Sequence, residues 1–236
     1  MNLKKCVVIT GGTKGIGKAL VWKFAKEGFD VITCSRNEKE LLALKEEVEN
    51  ALSVQLAVMP ADLSIKADVD QFAAFVKENA PSIEVLINNT GVFLPGEILQ
   101  EEEGALEKMM DTNLYSAYYL TRHLAPVMVD AKRGHIFSIS SIAGITAYAS
   151  GGSYSITKYA MQGFTKCLRQ ELKDKNIRVT AVLPGATYTA SWEGVDLPEE
   201  RFMKSEDVAS AVYNAYSLSE QTVVEEIILR PQLGDI

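Results

Sequence analysis

The sequence predicts a single α/β domain built on a doubly wound, mostly parallel sheet of seven strands, with helices on both faces. Short apolar, β-branched runs alternate with longer helical patterns along the 236 residues. This alternation is typical of parallel strands joined by crossover helices. The runs are almost continuously apolar, as expected for strands that are covered on both faces. No repeat or linker divides the chain, so we take residues 1–236 as one domain.

The predicted elements follow one another in a regular order. The predicted strands are 5–10, 30–35, 54–59, 83–88, 135–140, 177–183 and 226–229. The predicted helices are 15–28, 38–51, 66–80, 101–129, 153–174 and 205–217. Residues 186–204, which we name the lid segment, interrupt the order because they are acidic and rich in turn-forming residues. A long segment of this kind is expected to lie over a binding site.

Composition argues against several classes of protein. A net charge of −7 is unfavourable for a nucleic-acid partner. No apolar run is long enough to cross a bilayer and no leader peptide is recognisable, so we expect a cytoplasmic protein without a membrane partner. Cys6, Cys34 and Cys167 are dispersed and fit reduced thiols better than disulfides or zinc. With only His123 and His135 in the chain, neither a metal site nor a serine–histidine hydrolase is expected.

A glycine loop follows the first predicted strand. Residues 10–17 read TGGTKGIG, with glycines at 11, 15 and 17. Gly11 permits a turn, Gly15 allows the backbone to approach a pyrophosphate, and Gly17 allows close packing of the helix. The free N–H groups of the following helix favour an anion. The pattern predicts a Rossmann-like nucleotide site, whose candidate ligands here are Gly11, Thr13, Lys14, Gly15, Ile16 and Gly17.

The end of the second strand indicates which dinucleotide is bound. An NAD site has an acidic residue about 20 residues beyond its glycine loop. Here the strand ends in Ser35 and Arg36, and the first acid is Glu38. Arg36, together with Lys14, would attract the additional phosphate of NADP(H). The sequence therefore predicts NADP(H) as cofactor.

Polar residues and glycines also stand at the ends of four later strands. In a doubly wound sheet the carboxyl ends of the strands meet at the ligand crevice, so these residues are expected to line one site. A carboxylate at Asp62 can accept a hydrogen bond from an adenine amino group, and a glycine at 91 leaves room for a ribose. The strand-end candidates are Asp62, Leu63, Asn89, Thr90, Gly91, Ser141, Pro184 and Gly185.

Together these motifs resemble the short-chain dehydrogenase/reductase family along nearly the whole chain. The matching elements, in order, are TGGTKGIG at 10–17, DL at 62–63, NNTG at 88–91, Asn113 in DTNL, Ser141 in ISSIAG, YSITK at 154–158 and PG at 184–185. The spacing from Asn113 to Ser141 and from Ser141 to Tyr154 also agrees with the family. Thr90 departs from the pattern, since the family usually has alanine there.

The resemblance implies that Asn113, Ser141, Tyr154 and Lys158 form the catalytic set. Tyr154 would protonate the oxygen of a ketone that receives a hydride, with Lys158 favouring its phenolate and Ser141 binding the substrate oxygen. Asn113 would hold a water that feeds protons through Lys158. In the family the tyrosine and lysine also border the nicotinamide ribose. Residues near Thr187 and Thr189 are expected to orient the carboxamide.

Substrate choice is expected to depend on Tyr148, Trp192 and the lid segment, beside Ser141 and Tyr154. Trp192 either stacks on a planar ring or packs as a lid residue. The stretches PGATYTASWEGVD and VVEEIILRPQLGDI resemble bacterial sepiapterin reductases of the family. That resemblance implies a pterin substrate, with Asp196 or Asp235 binding its guanidine edge. Alternatively, the second stretch is only a packing signature of a buried last strand.

Two other functions remain open. A 3-oxoacyl-acyl-carrier-protein reductase shares the same four residues, although the acidic lid segment does not suit an acidic carrier protein. A non-catalytic NADP(H)-binding sensor belongs to a different class.

The resemblance also implies a homodimer or homotetramer formed through the helices at 101–129 and 153–174. The apolar stripe of Met161, Phe164 and Leu168 on the latter is more typical of core than of interface.

Overall fold

The computed structural model describes residues 5–189 and 196–236. The strands are β1 (Cys6–Thr10), β2 (Asp30–Ser35), β3 (Leu56–Pro60), β4 (Val85–Asn88), β5 (Gly134–Ile139), β6 (Ile177–Pro184) and β7 (Glu226–Leu229). The helices are α1 (Gly15–Lys26), α2 (Glu38–Ala51), α3 (Lys66–Asn79), α4 (Ala105–Met110), α5 (Ser116–Asp130), α6 (Gly152–Leu172) and α7 (Ser205–Ser217). The predicted fold class is confirmed.

All seven strands pair in parallel, in the order β3-β2-β1-β4-β5-β6-β7. The winding direction reverses between β1 and β4, where Val8 lies beside Ile32 on one side and Leu86 on the other. In such a sheet the ligand crevice opens at the carboxyl ends of the strands next to this switch point. The glycine loop, which follows β1, lies at that point.

The alternation of side chains along β1 separates two apolar cores. Val7 and Ile9 face α1, α2 and α7, while Cys6 and Val8 face α3, α5 and α6. All four side chains are buried. This double burial explains why the strands read as continuous apolar runs.

The predicted helix at 101–129 differs from the observed one at both its start and its middle. The helix begins only at Ala105, because Gly104 has a left-handed φ of +88° that ends the helical geometry. Residues Asp111–Tyr115 then form one turn of π-helix between α4 and α5. Such π-bulges occur frequently at functional sites, and this one carries Asn113.

Among residues 5–189 and 196–236, no helix combines the length and the apolar character that crossing a bilayer requires.

Candidate active site

Thr10, at the end of β1, ties the glycine loop to the end of β4. Its hydroxyl oxygen accepts hydrogen bonds from the backbone N–H groups of Asn89 and Thr90, each at 2.9 Å. In return the Asn89 amide donates to the Thr10 carbonyl at 2.8 Å and to the Gly11 carbonyl at 3.3 Å. The Asn89 side chain therefore supports the loop itself, which fixes the two walls of the crevice relative to each other.

The glycine loop has the shape of an anion cradle. Gly11 and Gly15 adopt positive φ angles of +69° and +49°, which disfavour any residue with a Cβ. A Cβ on Gly17 would overlap the carbonyl oxygen of Gly11, so the first turn of α1 packs directly on the loop. Thr189, from the lid segment, lies over Gly15. Within the described residues, the N-cap residue Lys14 makes no side-chain capping hydrogen bond, so the first N–H groups of α1 are available to a pyrophosphate.

The two predicted phosphate-binding cations have different surroundings. Arg36 is exposed just beyond β2. Lys14 instead forms an ion pair with Glu40, with 2.9 Å between Nζ and Oε1. Glu40 also accepts hydrogen bonds from the Asn37 side chain at 3.0 Å and from Thr13. The bond from Lys14 is the main reason that the pKa of Glu40 lies below its ordinary value. This carboxylate thus bridges the two loops that were predicted to hold the phosphate.

Asp62 and Leu63 follow β3, as predicted for an adenine subsite. Oδ1 of Asp62 accepts hydrogen bonds from the backbone N–H of Ser64 at 3.0 Å and from its hydroxyl at 2.7 Å. Leu63 is buried beneath this turn. The two bonds from Ser64 fix the Asp62 carboxylate just beyond the carboxyl end of β3.

Asn113 is completely buried and joins two segments of the site. Its amide donates to the Val92 carbonyl at 2.9 Å and to the Thr157 hydroxyl oxygen at 3.0 Å, while its Oδ1 accepts from the Val92 N–H at 2.7 Å. Thr157 in turn donates to the carbonyl of Tyr154. The π-turn therefore supports the helix that carries Tyr154 and Lys158.

Lys158 extends from α6 beneath the end of β5. Its Nζ donates to the carbonyl of Ile139 at 3.2 Å and lies 5.5 Å from the centre of the Tyr154 ring. A Cβ on Gly91 would come within 3.5 Å of Nζ and 3.3 Å of Asn113 Oδ1. Gly91 thus leaves space beside both groups, which fits the predicted position of a ribose.

Desolvation by burial is the main cause of the shifted pKa values of Tyr154 and Lys158. Burial raises the pKa of Tyr154 to about 12, although a hydrogen bond with Ser141 acts in the opposite direction. Burial also lowers the pKa of Lys158 to about 8. Tyr154 therefore keeps its proton at neutral pH, as a proton donor requires. Phe93 packs edge-on against the tyrosine ring, with 4.9 Å between the ring centres.

Ser141, Tyr154 and Lys158 open into one cavity of about 510 Å³. The cavity also brings in some of the residues predicted to contact the cofactor, and the substrate candidate Tyr148, which is 47% exposed, lines it as well. Other predicted contacts lie outside it, namely Gly11, Thr13, Lys14, Gly15, Gly17, Ser35, Arg36, Asp62, Leu63 and Thr90. The cavity is lined by residues from the glycine loop (Ile16), the β4 end (Asn89, Gly91, Val92, Phe93), the β5 end (Ile139, Ser140, Ser141, Ile142), the following turn (Thr146, Tyr148, Ala149), α6 (Tyr154, Lys158), the β6 end (Pro184, Gly185, Ala186, Thr187, Thr189) and the tail (Asp235, Ile236).

The tail after β7 and the lid segment border this cavity. Asp235 forms an ion pair with Arg230, and its backbone carbonyl accepts from Arg201 at 3.3 Å. A backbone hydrogen bond joins the two ends of the lid segment, with the N–H of Tyr188 donating to the carbonyl of Met203 at 2.9 Å. Asp196 is exposed and does not line the cavity, which leaves Asp235 as the predicted acid beside it. The candidate Trp192 lies outside the described residues.

A doubly wound parallel sheet with a glycine loop and a tyrosine–lysine pair at its carboxyl edge defines a dinucleotide-dependent oxidoreductase. The chain belongs to the short-chain dehydrogenase family, whose family model matches residues 5–199. The sequence is 35% identical to a sepiapterin reductase of Chlorobaculum tepidum, over 99% of both chains. It is 27% identical to an uncharacterised oxidoreductase of Staphylococcus epidermidis, over 97% of both.

Solved structures are similar over nearly the full chain. A metagenomic short-chain oxidoreductase in complex with NADP superposes with a TM-score of 0.85 at 29% identity, covering 98% of this chain and 99% of that one. A serine dehydrogenase in its closed form with NADP⁺ gives 0.85 at 30% identity, covering 94% and 93%.

Several residues of the site were not predicted. Val92 and Phe93 contact the predicted residues but belong to no motif. Thr157 lies within the YSITK motif, where it was given no role, and it accepts a hydrogen bond from Asn113. A sequence pattern does indicate a role for Glu40, because it stands three positions after Asn37, which is the spacing of a capping box at the start of a helix. Asn37 does cap α2, accepting from the backbone N–H groups of Lys39 and Glu40. What the spacing could not reveal is that the same carboxylate reaches Lys14.

Proposed function

We propose that the protein is an NADPH-dependent carbonyl reductase in which Tyr154 is the general acid. The observation that carries this proposal is the convergence of Tyr154, whose pKa of about 12 keeps it protonated, with Ser141 and Lys158 on a cavity that is also lined by predicted cofactor contacts such as Gly91 and Gly185. When bound, NADPH supplies a hydride to the carbonyl carbon. Its predicted contacts are Gly11, Thr13, Lys14, Gly15, Ile16, Gly17, Ser35, Arg36, Asp62, Leu63, Asn89, Thr90, Gly91, Tyr154, Lys158, Pro184, Gly185, Thr187 and Thr189.

Residues of the chain bind the carbonyl oxygen of the substrate and protonate it. Ser141 donates a hydrogen bond to the substrate oxygen as negative charge develops on it, and Tyr154 transfers its proton to that oxygen. The charge on Lys158 then stabilises the phenolate until a proton returns, at a site held rigid by Asn113. The hydrogen bond between Ser141 and Tyr154 supports these roles, because both hydroxyls can reach one substrate atom.

The cofactor preference is for NADP(H) over NAD(H). Arg36 is exposed at the carboxyl end of β2, where an NAD site would place a carboxylate. Relatives with bound NADP fold in the same way.

For the substrate we propose a pterin that carries a side-chain carbonyl. The full-length similarity to a sepiapterin reductase supports this class. Asp235 at the cavity wall offers a carboxylate for the guanidine-like edge of a pterin, whose adjacent N–H donors match the two carboxylate oxygens in hydrogen-bond geometry. To bind the pterin, Asp235 would exchange its ion pair with Arg230 for the ligand.

The test is NADPH oxidation by the purified protein, followed by absorbance, with sepiapterin, an acetoacetyl thioester, a diketone and a quinone. Fastest turnover of sepiapterin, with a KM raised by Asp235→Asn and unchanged by Asp196→Asn, supports the proposal. A preference for the acetoacetyl thioester would favour the carrier-protein reductase instead. NADPH binding without oxidation on any carbonyl would favour the sensor.

We also propose that the protein is a cytoplasmic homo-oligomer. Tyr118 on α5 and Tyr159 and Ile156 on α6 are 40%, 47% and 42% exposed, on the two helices that the family resemblance implicates. Met161 of the predicted apolar stripe is buried at 1% exposure, so it belongs to the core. Sedimentation of the wild type and of Tyr159→Asp tests this. A monomeric wild type would contradict the proposal.

A further inference from the structure

Glu101 connects the β4–α4 loop (residues 89–104) to the first turn of α6. Its Oε1 accepts a hydrogen bond from the backbone N–H of Ser153 at 2.8 Å, and its Oε2 accepts one from the Ser153 hydroxyl. Ser153 is buried and directly precedes Tyr154. The first N–H groups of a helix have no acceptor within the helix, and the Glu101 carboxylate provides one for Ser153. Its negative charge is also favourable at a helix N-terminus.

Glycines on both segments leave room for this carboxylate. Gly152 has a left-handed φ of +28°, and a Cβ there would collide with Oε1 of Glu101 and with the carbonyl oxygen of Gly96. A Cβ on Gly96 would lie 2.5 Å from Cγ of Glu101. The Gly96 N–H also donates to the carbonyl of Ser150 at 3.0 Å. The loop and the start of α6 are thus shaped to close on each other around one side chain.

The same loop is fixed on the other side of Tyr154. Val92 is held by the Asn113 side chain, and Phe93 packs against the tyrosine ring. We propose that Glu101 is a positioning residue: by holding the first turn of α6 on this loop, it sets the position of the Tyr154 hydroxyl relative to Ser141 and Lys158. The inference rests on the proposed function, in which Tyr154 is the acid.

Loss of this connection should affect proton transfer more than cofactor binding. Proton transfer depends on the placement of a hydroxyl within a fraction of an ångström, whereas the glycine loop is held by separate bonds from Thr10 and Asn89. Glu101→Ala is expected to lower kcat about tenfold. The KM for NADPH should stay within about twofold of the wild-type value, because the glycine loop keeps its contacts. Glu101→Gln keeps an acceptor for the Ser153 N–H and should retain most of the activity.

The experiment compares wild type, Glu101→Ala, Glu101→Gln and the exposed neighbouring control Glu103→Ala. It measures kcat and KM for NADPH with the best carbonyl of the panel, together with amide hydrogen exchange of the segment 150–157. Glu101→Ala should speed exchange in this segment, and Glu103→Ala should change neither measurement. Unchanged exchange in Glu101→Ala, or a KM for NADPH that rises as steeply as kcat falls, overturns the inference.

A wild type that reduces no carbonyl refutes the proposed function but leaves the inference testable. The inference is then tested by amide hydrogen exchange of the segment 150–157 and by the titration of the Tyr154 phenol. The phenol signal of Tyr154 is obtained by subtracting the ultraviolet titration of a protein that also carries Tyr154→Phe, once for the wild type and once for Glu101→Ala. Glu101→Ala must shift that titration toward the ordinary tyrosine pKa, since burial is the main cause of the raised value. A titration identical to that of the wild type overturns the inference.

Discussion

The side chain of Asn113 and the backbone of Val92 exchange two hydrogen bonds, one in each direction, at 2.7 and 2.9 Å. A carboxamide is the side-chain group that can match both the N–H and the C=O of one residue. A third bond, from Asn113 to Thr157, extends the pair to α6. The β4 end, the π-turn and the helix bearing Tyr154 are therefore joined through one buried side chain.

Asn113→Ala should be strongly destabilising, because it leaves the partly buried N–H and C=O of Val92 without their partner and opens a cavity at a fully buried side chain. We expect the free energy of unfolding to fall by about 2–4 kcal/mol, measured by urea denaturation. Asn79→Ala is the matched control, since the Asn79 amide donates to Phe75 at the exposed end of α3. Equal losses in the two variants would show that the Val92 pair contributes little.

Tyr154→Phe should retain NADPH binding and lose turnover about a hundredfold or more, because the ring remains and only the proton donor is removed. Tyr159→Phe, on the exposed side of the same helix, is the control and should behave as wild type. Cofactor fluorescence titration and NADPH oxidation separate the two effects. A variant with near-normal turnover would exclude Tyr154 as the acid.

Arg36→Asp should shift the cofactor preference toward NADH by about tenfold, since a carboxylate would replace the cation expected at the phosphate. The measurement is the ratio of kcat/KM for NADPH and NADH. Lys77→Asp makes the same charge change on α3, far along the chain from the crevice, and should leave the ratio unchanged. If both substitutions shifted the ratio equally, the shift would come from the change in net charge of the protein and not from a contact between Arg36 and the phosphate.

Glu40→Gln should tighten NADPH binding about threefold and leave NADH binding unchanged, because the glutamate competes with a phosphate for Lys14. Dissociation constants from fluorescence titration test this, with Glu46→Gln on the exposed face of α2 as control. Weaker NADPH binding would mean that Glu40 instead holds Lys14 in place for the phosphate.

His135 should make the protein less stable in mild acid. Thr180 donates its hydroxyl proton to Val224, so it accepts from Nε2–H of His135, and Nδ1 is left buried without a hydrogen bond among the described residues. Burial, assisted by the charge of Arg178, holds the pKa of His135 well below its ordinary value. The unfolded chain then takes up a proton first as pH falls below about 6.5.

The free energy of unfolding should therefore decrease by up to about 1.4 kcal/mol per pH unit below pH 6.5, until the folded-state pKa is reached. His135→Phe should flatten this dependence in urea denaturation between pH 7 and 5, even if it lowers stability overall. A dependence as steep as that of the wild type would assign the acid sensitivity to other groups.

The fold could be predicted from the sequence because its determinants are local. Strands covered on both faces read as apolar runs, and β1 shows directly how neighbouring residues serve different cores. The candidates at the ends of strands could be located for a similar reason, since those ends converge on the crevice. Asn113, Tyr154 and Lys158 lie on helical segments and were located through the motifs of the family. The late start at Ala105 was missed because Gly104 takes a left-handed conformation within an otherwise helical pattern.

The remaining parts of the site depend on contacts between distant segments. Glu101 and Ser153 are far apart in sequence, and nothing in either local pattern indicates that they meet. The same holds for Lys14 and Glu40, where an acid four positions beyond the predicted cation Arg36 reaches back to the glycine loop. Such pairs are fixed by the tertiary fold, so they become visible only in three dimensions.

The cavity is lined by Ile16 near one end of the chain and by Asp235 and Ile236 near the other. During synthesis, the nucleotide crevice between β1 and β4 can therefore assemble well before the substrate wall. We expect fragments that stop before β7 to retain the glycine loop and the crevice between β1 and β4 but to lack the side of the carbonyl pocket that Asp235 and Ile236 provide.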